Sequence, residues 1–215
     1  MEKSGDPTPF IVAVGGFSSE VGKTTLLCEL LRAFPDWEAI KLTRGHYRSC
    51  GKDPHACCVS HLLTDEPVIY SGRERTYTPG KDTGRYWDAG AANVHWVIVT
   101  DAQVEQGIKQ ALARVHAPGV LIEGNSFLKF IDVDFTVMTA RAEGGKIKPT
   151  ARRALAKANA LYLFDEGGGA AARERFALWS EDPAHRNLIG DLSIYTRAEL
   201  PQLIARLRET HLITA

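Results

Sequence analysis

Lys23 and Thr24 are the residues whose type and spacing most directly imply chemistry. They stand in Gly16-Phe-Ser-Ser-Glu-Val-Gly-Lys-Thr-Thr25, after the apolar run Phe10–Val14 and before the amphipathic stretch Leu26–Leu31. A buried strand, a glycine-containing loop and a helix in that order form a phosphate cradle. Backbone N–H groups of Gly16, Ser18, Ser19, Glu20, Val21 and Gly22, and of Lys23, Thr24 and Thr25, would face phosphate oxygens. The helix dipole favours negative charge at that point. Lys23 would reach the outer phosphates, and the Thr24 hydroxyl would ligate Mg²⁺. Phe17 stands where the usual motif begins with glycine, so the gap from Gly16 to Gly22 is one residue longer than usual.

A phosphate cradle needs an acidic partner for its metal. Glu123 ends the apolar run Gly119–Ile122 and precedes Gly124-Asn125. It is the candidate Mg²⁺ ligand opposite Thr24; the alternative is a strand-end acid facing solvent. Asp82, in Pro79-Gly-Lys-Asp82, either caps a helix or helps organise metal and water near the γ-phosphate. Lys41 closes a strand and either neutralises an anion or is simply solvated. Arg141, Lys146 and Lys148 form a basic turn that would suit an anionic second substrate, or water alone.

Three of the four cysteines and three of the seven histidines fall within residues 46–61. Cys50, Cys57 and Cys58 with His46, His55 or His61 would suit tetrahedral Zn²⁺, or an iron–sulfur cluster completed by another ligand. Reduced, unliganded thiols and thiol catalysis are the alternatives. Cys28 belongs to the first helix and reads as core.

These residues must be positioned by a scaffold, and the chain alternates strand and helix. Strands are expected at Phe10–Val14, Glu38–Leu42, Trp96–Val99, the run ending at Glu123, Asp134–Thr139, Ala160–Phe164 and Leu192–Tyr195. Helices are expected at Lys23–Ala33, Lys81–Ala92, from Asp101 as cap to Val115, at 150–158 and at Leu200–Leu212. Thr196 and Glu199 make a capping box before the last. Residues 44–78 read as an irregular Cys/His-rich insert, apart from Pro67–Tyr70. Such alternation predicts one α/β domain over residues 1–215, with a mostly parallel sheet, helices on both faces, and ligands at the carboxyl ends of the strands.

Composition excludes several classes. Lys plus Arg and Asp plus Glu both number 26, so the net charge is zero. Nothing there favours a nucleic-acid or anionic-membrane partner. No run approaches the roughly 20 apolar residues of a membrane span. The first nine residues lack a signal-peptide core, and a cytoplasmic location is the expectation.

The ordered set of motifs resembles the molybdopterin-guanine dinucleotide biosynthesis protein B (MobB) family. The resemblance rests on Gly22–Leu26, Ile40-Lys41 with His46, Pro79–Asp82 with Ala89-Gly90-Ala91, and Ile122-Glu-Gly124, and covers roughly residues 10–140. It implies a P-loop NTPase domain that binds a nucleotide, GTP in that family. It further implies a homodimer and a role beside a partner protein in attaching a nucleotide to the molybdenum cofactor. The Glu20–Thr24 run and the longer glycine gap are similar to the loop of dethiobiotin synthetase, an ATP-dependent ligase. Metallochaperone GTPases belong to the same broad group, so a metal-carrying nucleotide switch is a further reading. The cysteine–histidine insert has no counterpart in the MobB pattern. An Asn-Lys-x-Asp guanine motif is absent from the sequence, so the residues leave GTP and ATP both open.

Overall fold

The computed structural model describes residues 8–46, 59–165 and 169–214. Eight strands form one sheet: β1 (Phe10–Gly16), β2 (Glu38–Arg44), β3 (Val68–Ser71), β4 (Val94–Val99), β5 (Gly119–Glu123), β6 (Phe135–Arg141), β7 (Ala160–Phe164) and β8 (Ser193–Tyr195). Their order is β3-β4-β2-β5-β1-β6-β7-β8. All neighbours are parallel except β3, which runs antiparallel to β4 at the sheet edge.

The strands are apolar on both sides because helices cover both faces. Alternate residues point in opposite directions. Val12, Val14, Ala39, Leu121 and Val137 therefore meet α1 (Lys23–Ala33), α3 (Asp82–Asp88) and α8 (Leu200–Thr214) through Leu27, Leu31, Tyr86, Leu203 and Leu207. Ala13, Ile40, Ile122, Met138 and Leu161 instead meet α4 (Val104–Leu112), α5 (Pro149–Leu155) and α6 (Gly169–Ser180). Two short helices complete the set, α2 (Arg73–Thr76) and α7 (Pro183–Ile189).

Some local expectations are corrected. Pro67–Tyr70, the exception within the irregular stretch, overlaps Val68–Ser71, which is paired as β3. The helix expected at Lys81–Ala92 covers only Asp82–Asp88, because Gly90 at φ +94° turns the chain into β4. Asp101 does not cap: Thr100 does, in a reciprocal box with Gln103, and Asp101 binds Arg44. The box at Thr196 and Glu199 forms as expected.

Candidate functional site

Every parallel strand ends at the same edge of the sheet, which places Gly16, Arg44, Glu123, Arg141 and Phe164 along it. Lys41 and Glu123 are register partners on adjacent strands, so their side chains share the face covered by α1 and α3. This is why the Lys41 ammonium reaches Glu123 Oε1, and it also pairs with Asp82 Oδ2 at 2.7 Å.

The loop between β1 and α1 is shaped by two left-handed residues, Glu20 at φ +56° and Gly22 at φ +80°. Glycine suits this turn because a Cβ at Gly22 would lie 2.3 Å from the Phe164 ring as well as adopt a strained conformation. Helix α1 then starts with its first N–H groups lacking intrahelical partners. Lys23 folds back so that its ammonium donates to the Ser18 carbonyl at 2.8 Å, and Lys148 donates to Ser19 Oγ at 2.9 Å.

Thr24 joins the loop to the acids. Its Oγ1 lies 2.8 Å from Glu123 Oε2 and 3.2 Å from Asp82 Oδ1. A hydroxyl has one proton, so the shorter contact is the principal bond. Tyr86, four residues after Asp82 on α3, also donates its phenol to Glu123 Oε2. Helical spacing puts both side chains on one face. Glu123 is only 4% exposed and Tyr86 is fully buried, so this carboxylate is held by three donors away from bulk water.

Burial disfavours the charge on Lys41, but Glu123 and Asp82 outweigh it and hold its pKa above the ordinary lysine value. Asp82 responds in the opposite sense: burial raises its pKa, while the Lys41 charge and hydrogen bonds from Lys41 and Thr24 bring it below the usual carboxylate value. Lys23 is pulled down, first by burial and then by the Lys41 and Lys148 ammonium groups, against the pull of Glu123 and Asp82. Burial, then Glu123, pushes the Tyr86 phenol well above its ordinary value, so it remains a donor.

A cleft of about 540 Å³ opens here, lined by Ser19, Glu20, Val21, Gly22, Lys23, Thr24, Thr25, Lys41, Asp82 and Glu123, with Arg85, Arg141 and Phe164. The expected site residues of the loop and strands are thus brought together. Gly16 and Ser18 support the loop from behind rather than line the cleft. A Cβ at Gly16 would meet Val21 at 2.6 Å.

The sequence reading missed Tyr86, Phe164 and Asn125. Asn125 accepts from the Gly16 N–H at 2.9 Å and donates to the Gly16 carbonyl at 2.8 Å, clamping the start of the loop. The spacing of Asp82 and Tyr86 was the available signal for Tyr86; Phe164, which ends β7, and Asn125, which follows β5, had none beyond that position.

The cysteine–histidine set divides differently. Cys50, His55, Cys57 and Cys58 lie outside the described residues. His46 follows β2, and His61 is exposed in a short 3₁₀ turn at Ser60–Leu62. Among the described residues no group of three or more His, Cys, Asp or Glu side chains is arranged to hold a metal ion. Cys28 is buried in the core, and burial pushes its thiol up to about 11. Among the described residues no helix is long and apolar enough to cross a membrane.

No protein-family model matches the chain, and no curated protein matches its sequence. Among solved structures, the chain is similar to the "apo" form of LpxK from Aquifex aeolicus, crystallised in complex with ATP. The identity is 19%, the match covers 76% of this chain and 52% of that one, and the TM-score is 0.46. The chain therefore spans about half the length of that protein.

Proposed function

We propose that the chain binds a nucleoside triphosphate with Mg²⁺ and acts on its γ-phosphoryl group, by hydrolysis or by transfer. The observation that carries this reading is the contact of Thr24 with both Glu123 and Asp82, at the mouth of a loop that ends in Gly22-Lys23-Thr24. Three oxygen-bearing side chains converge there, and hard Mg²⁺ takes oxygen ligands while keeping several waters. Thr24 and one or both carboxylates would hold the ion, which would supply neutralisation of phosphate charge.

The chain's own residues account for the rest. Lys23 leaves the Ser18 carbonyl to meet phosphate oxygens, assisted by the free N–H groups at the start of α1. Lys41, paired with Glu123 and Asp82, and Arg85, bonded to Thr25 Oγ1, add positive charge to the cleft. Tyr86 orients Glu123 so that its oxygens stay aimed at Thr24. Such a site acts by positioning and electrostatic stabilisation in a partly dry cleft.

The ordered motif set adds a finer reading, a MobB-like role in molybdenum-cofactor nucleotide attachment or related metal-cofactor handling, with GTP as nucleotide. A homodimer and a cofactor-biosynthesis partner come with that resemblance. The Cys50–His61 segment is the sequence basis for Zn²⁺ or iron–sulfur binding within it.

Release of phosphate from ATP and from GTP, with and without Mg²⁺, tests the proposal. Turnover that requires Mg²⁺ and falls by orders of magnitude in Glu123→Gln supports it. Turnover unchanged in Glu123→Gln would place the chemistry elsewhere, and the ratio of the two nucleotides decides the finer reading.

A further inference from the structure

On the sheet face opposite Thr24 and Tyr86, a second cavity of about 440 Å³ opens beside the carboxyl ends of β2 and β5. Arg44, Lys129, Arg153 and Lys157 line it against a single carboxylate, Asp101. Arg44 is paired with Asp101 at 2.9 Å, and Lys157 with the exposed Asp132 at 3.0 Å. Among the described residues, Lys129 and Arg153 form no ion pair; the Lys129 ammonium lies 5.1 Å over the Phe130 ring. The rest of the lining is mixed: Val104, Leu128 and Ala154, buried in the core on that face, form an apolar wall with Phe130, while Asn125, Ser126 and Thr150 are polar.

We propose that this cavity is a second ligand site, for a small organic anion that carries a phosphate or carboxylate group on an apolar body. The volume falls within the range of small-molecule sites, roughly 300–1,000 Å³. An unpaired guanidinium presents a planar fork of donors that matches two oxygens of such a group, and the Lys129 ammonium adds a second cation. The apolar wall would be wasted on a bare inorganic ion. The basic turn at Arg141–Lys148 does not serve this site: Lys148 is bonded to Ser19 and Arg141 lines the other cleft. Asn125, which lines the second cavity, also holds both backbone groups of Gly16 at the start of the phosphate loop.

The test is calorimetric titration of the full chain with phenyl phosphate and, separately, phenylacetate. Three proteins are compared: unaltered, Lys129→Ala with Arg153→Ala, and Lys23→Ala. Both cations of the double variant are exposed, so the fold survives their loss, and a thermal melt checks it. Saturable binding of at least one probe is expected, weakened roughly tenfold or more in the double variant and unchanged in Lys23→Ala. The probe that binds identifies the acidic group. Binding of neither probe to the unaltered chain would overturn the proposal, as would equal affinity in the double variant. Loss of probe binding in Lys23→Ala would also overturn it, since the probe would then sit on the phosphate loop. ATP titrated into the double variant separates the two readings: unaltered ATP affinity with lost probe binding supports two sites, and joint loss contradicts them.

Discussion

Thr24 Oγ1 donates a 2.8 Å hydrogen bond to Glu123 Oε2, joining two residues 99 positions apart. The bond ties the first turn of α1 to the end of β5. If these oxygens hold Mg²⁺, then Thr24→Ala with Glu123→Gln should leave nucleotide affinity nearly independent of Mg²⁺, whereas the unaltered chain should need it. Titrations with and without chelator check this; equal Mg²⁺ dependence in both proteins would remove these residues from the metal site.

Tyr86 donates to the same carboxylate oxygen, Glu123 Oε2, as Thr24. Tyr86→Phe removes one of three donors and leaves Glu123 free to turn. Outer partners of metal ligands are typically worth about 10–100-fold in metal affinity. Roughly that loss in Mg²⁺ dependence is expected, with a stability cost on the order of 1 kcal/mol. Denaturant unfolding separates the two effects. A stability change with no change in Mg²⁺ response would make Tyr86 purely a packing residue.

Gly22 is constrained twice, by φ +80° and by the Phe164 ring 2.3 Å from where a Cβ would lie. Gly22→Ala should therefore disrupt the loop and abolish nucleotide binding. Adding Phe164→Ala should restore it only in part, because left-handed backbone still costs roughly 1–2 kcal/mol. Full rescue would show that the backbone conformation matters little.

Away from the cleft, the buried Glu38 carboxylate is held by His95 Nε2 at 2.7 Å and by the backbone N–H groups of His116 and Ala117. Ser71 completes the chain at His95 Nδ1, 2.8 Å away. Burial opposes the charge on Glu38, but these bonds bring its pKa below the ordinary 4.5. A depressed folded-state pKa stabilises above the unfolded value and loses that contribution as pH falls through the folded one. Stability should thus decline as pH drops below about 4.5, with a shallower decline in Glu38→Gln. Parallel unfolding curves for the two proteins would contradict this.

Cys28 offers a chemical check on the core. Its pKa is pushed up to about 11, and its Sγ lies 3.5 Å from the Arg85 carbonyl under α3. Little thiolate exists at neutral pH, so the folded chain should resist alkylation at Cys28, and denaturant should expose it. Peptide-resolved mass spectrometry after iodoacetamide reads this directly; rapid labelling in the folded chain would mean that α1 and α3 part readily.

What was legible in the sequence was local. Gly22-Lys23-Thr24 lies within one strand–loop–helix unit, and α1 runs from Lys23 to Ala33 as the pattern predicts. The mostly parallel sheet followed from alternation of elements. Lys41 was ambiguous because its meaning depends on strand order: only when β2 lies beside β5 does it become the neighbour of Glu123. Asn125 was illegible for the same reason, since its partner Gly16 is 109 positions away. Pro67–Tyr70 stood out from the stretch around it, but the antiparallel pairing of Val68–Ser71 with β4 at the sheet edge depends on strand order and was not legible. Thr100 and Asp101 are both good capping residues, and the choice between them was settled by Arg44 drawing Asp101 away.

The central claim is that Lys23 and its loop receive a triphosphate. Calorimetric titration of ATP and GTP with Mg²⁺ into the unaltered chain and into Lys23→Ala tests it most directly. Saturable binding of at least one nucleotide, lost in a variant that melts like the parent, is the predicted result. Equal affinity in both proteins, or no binding of either nucleotide to the unaltered chain, would contradict it.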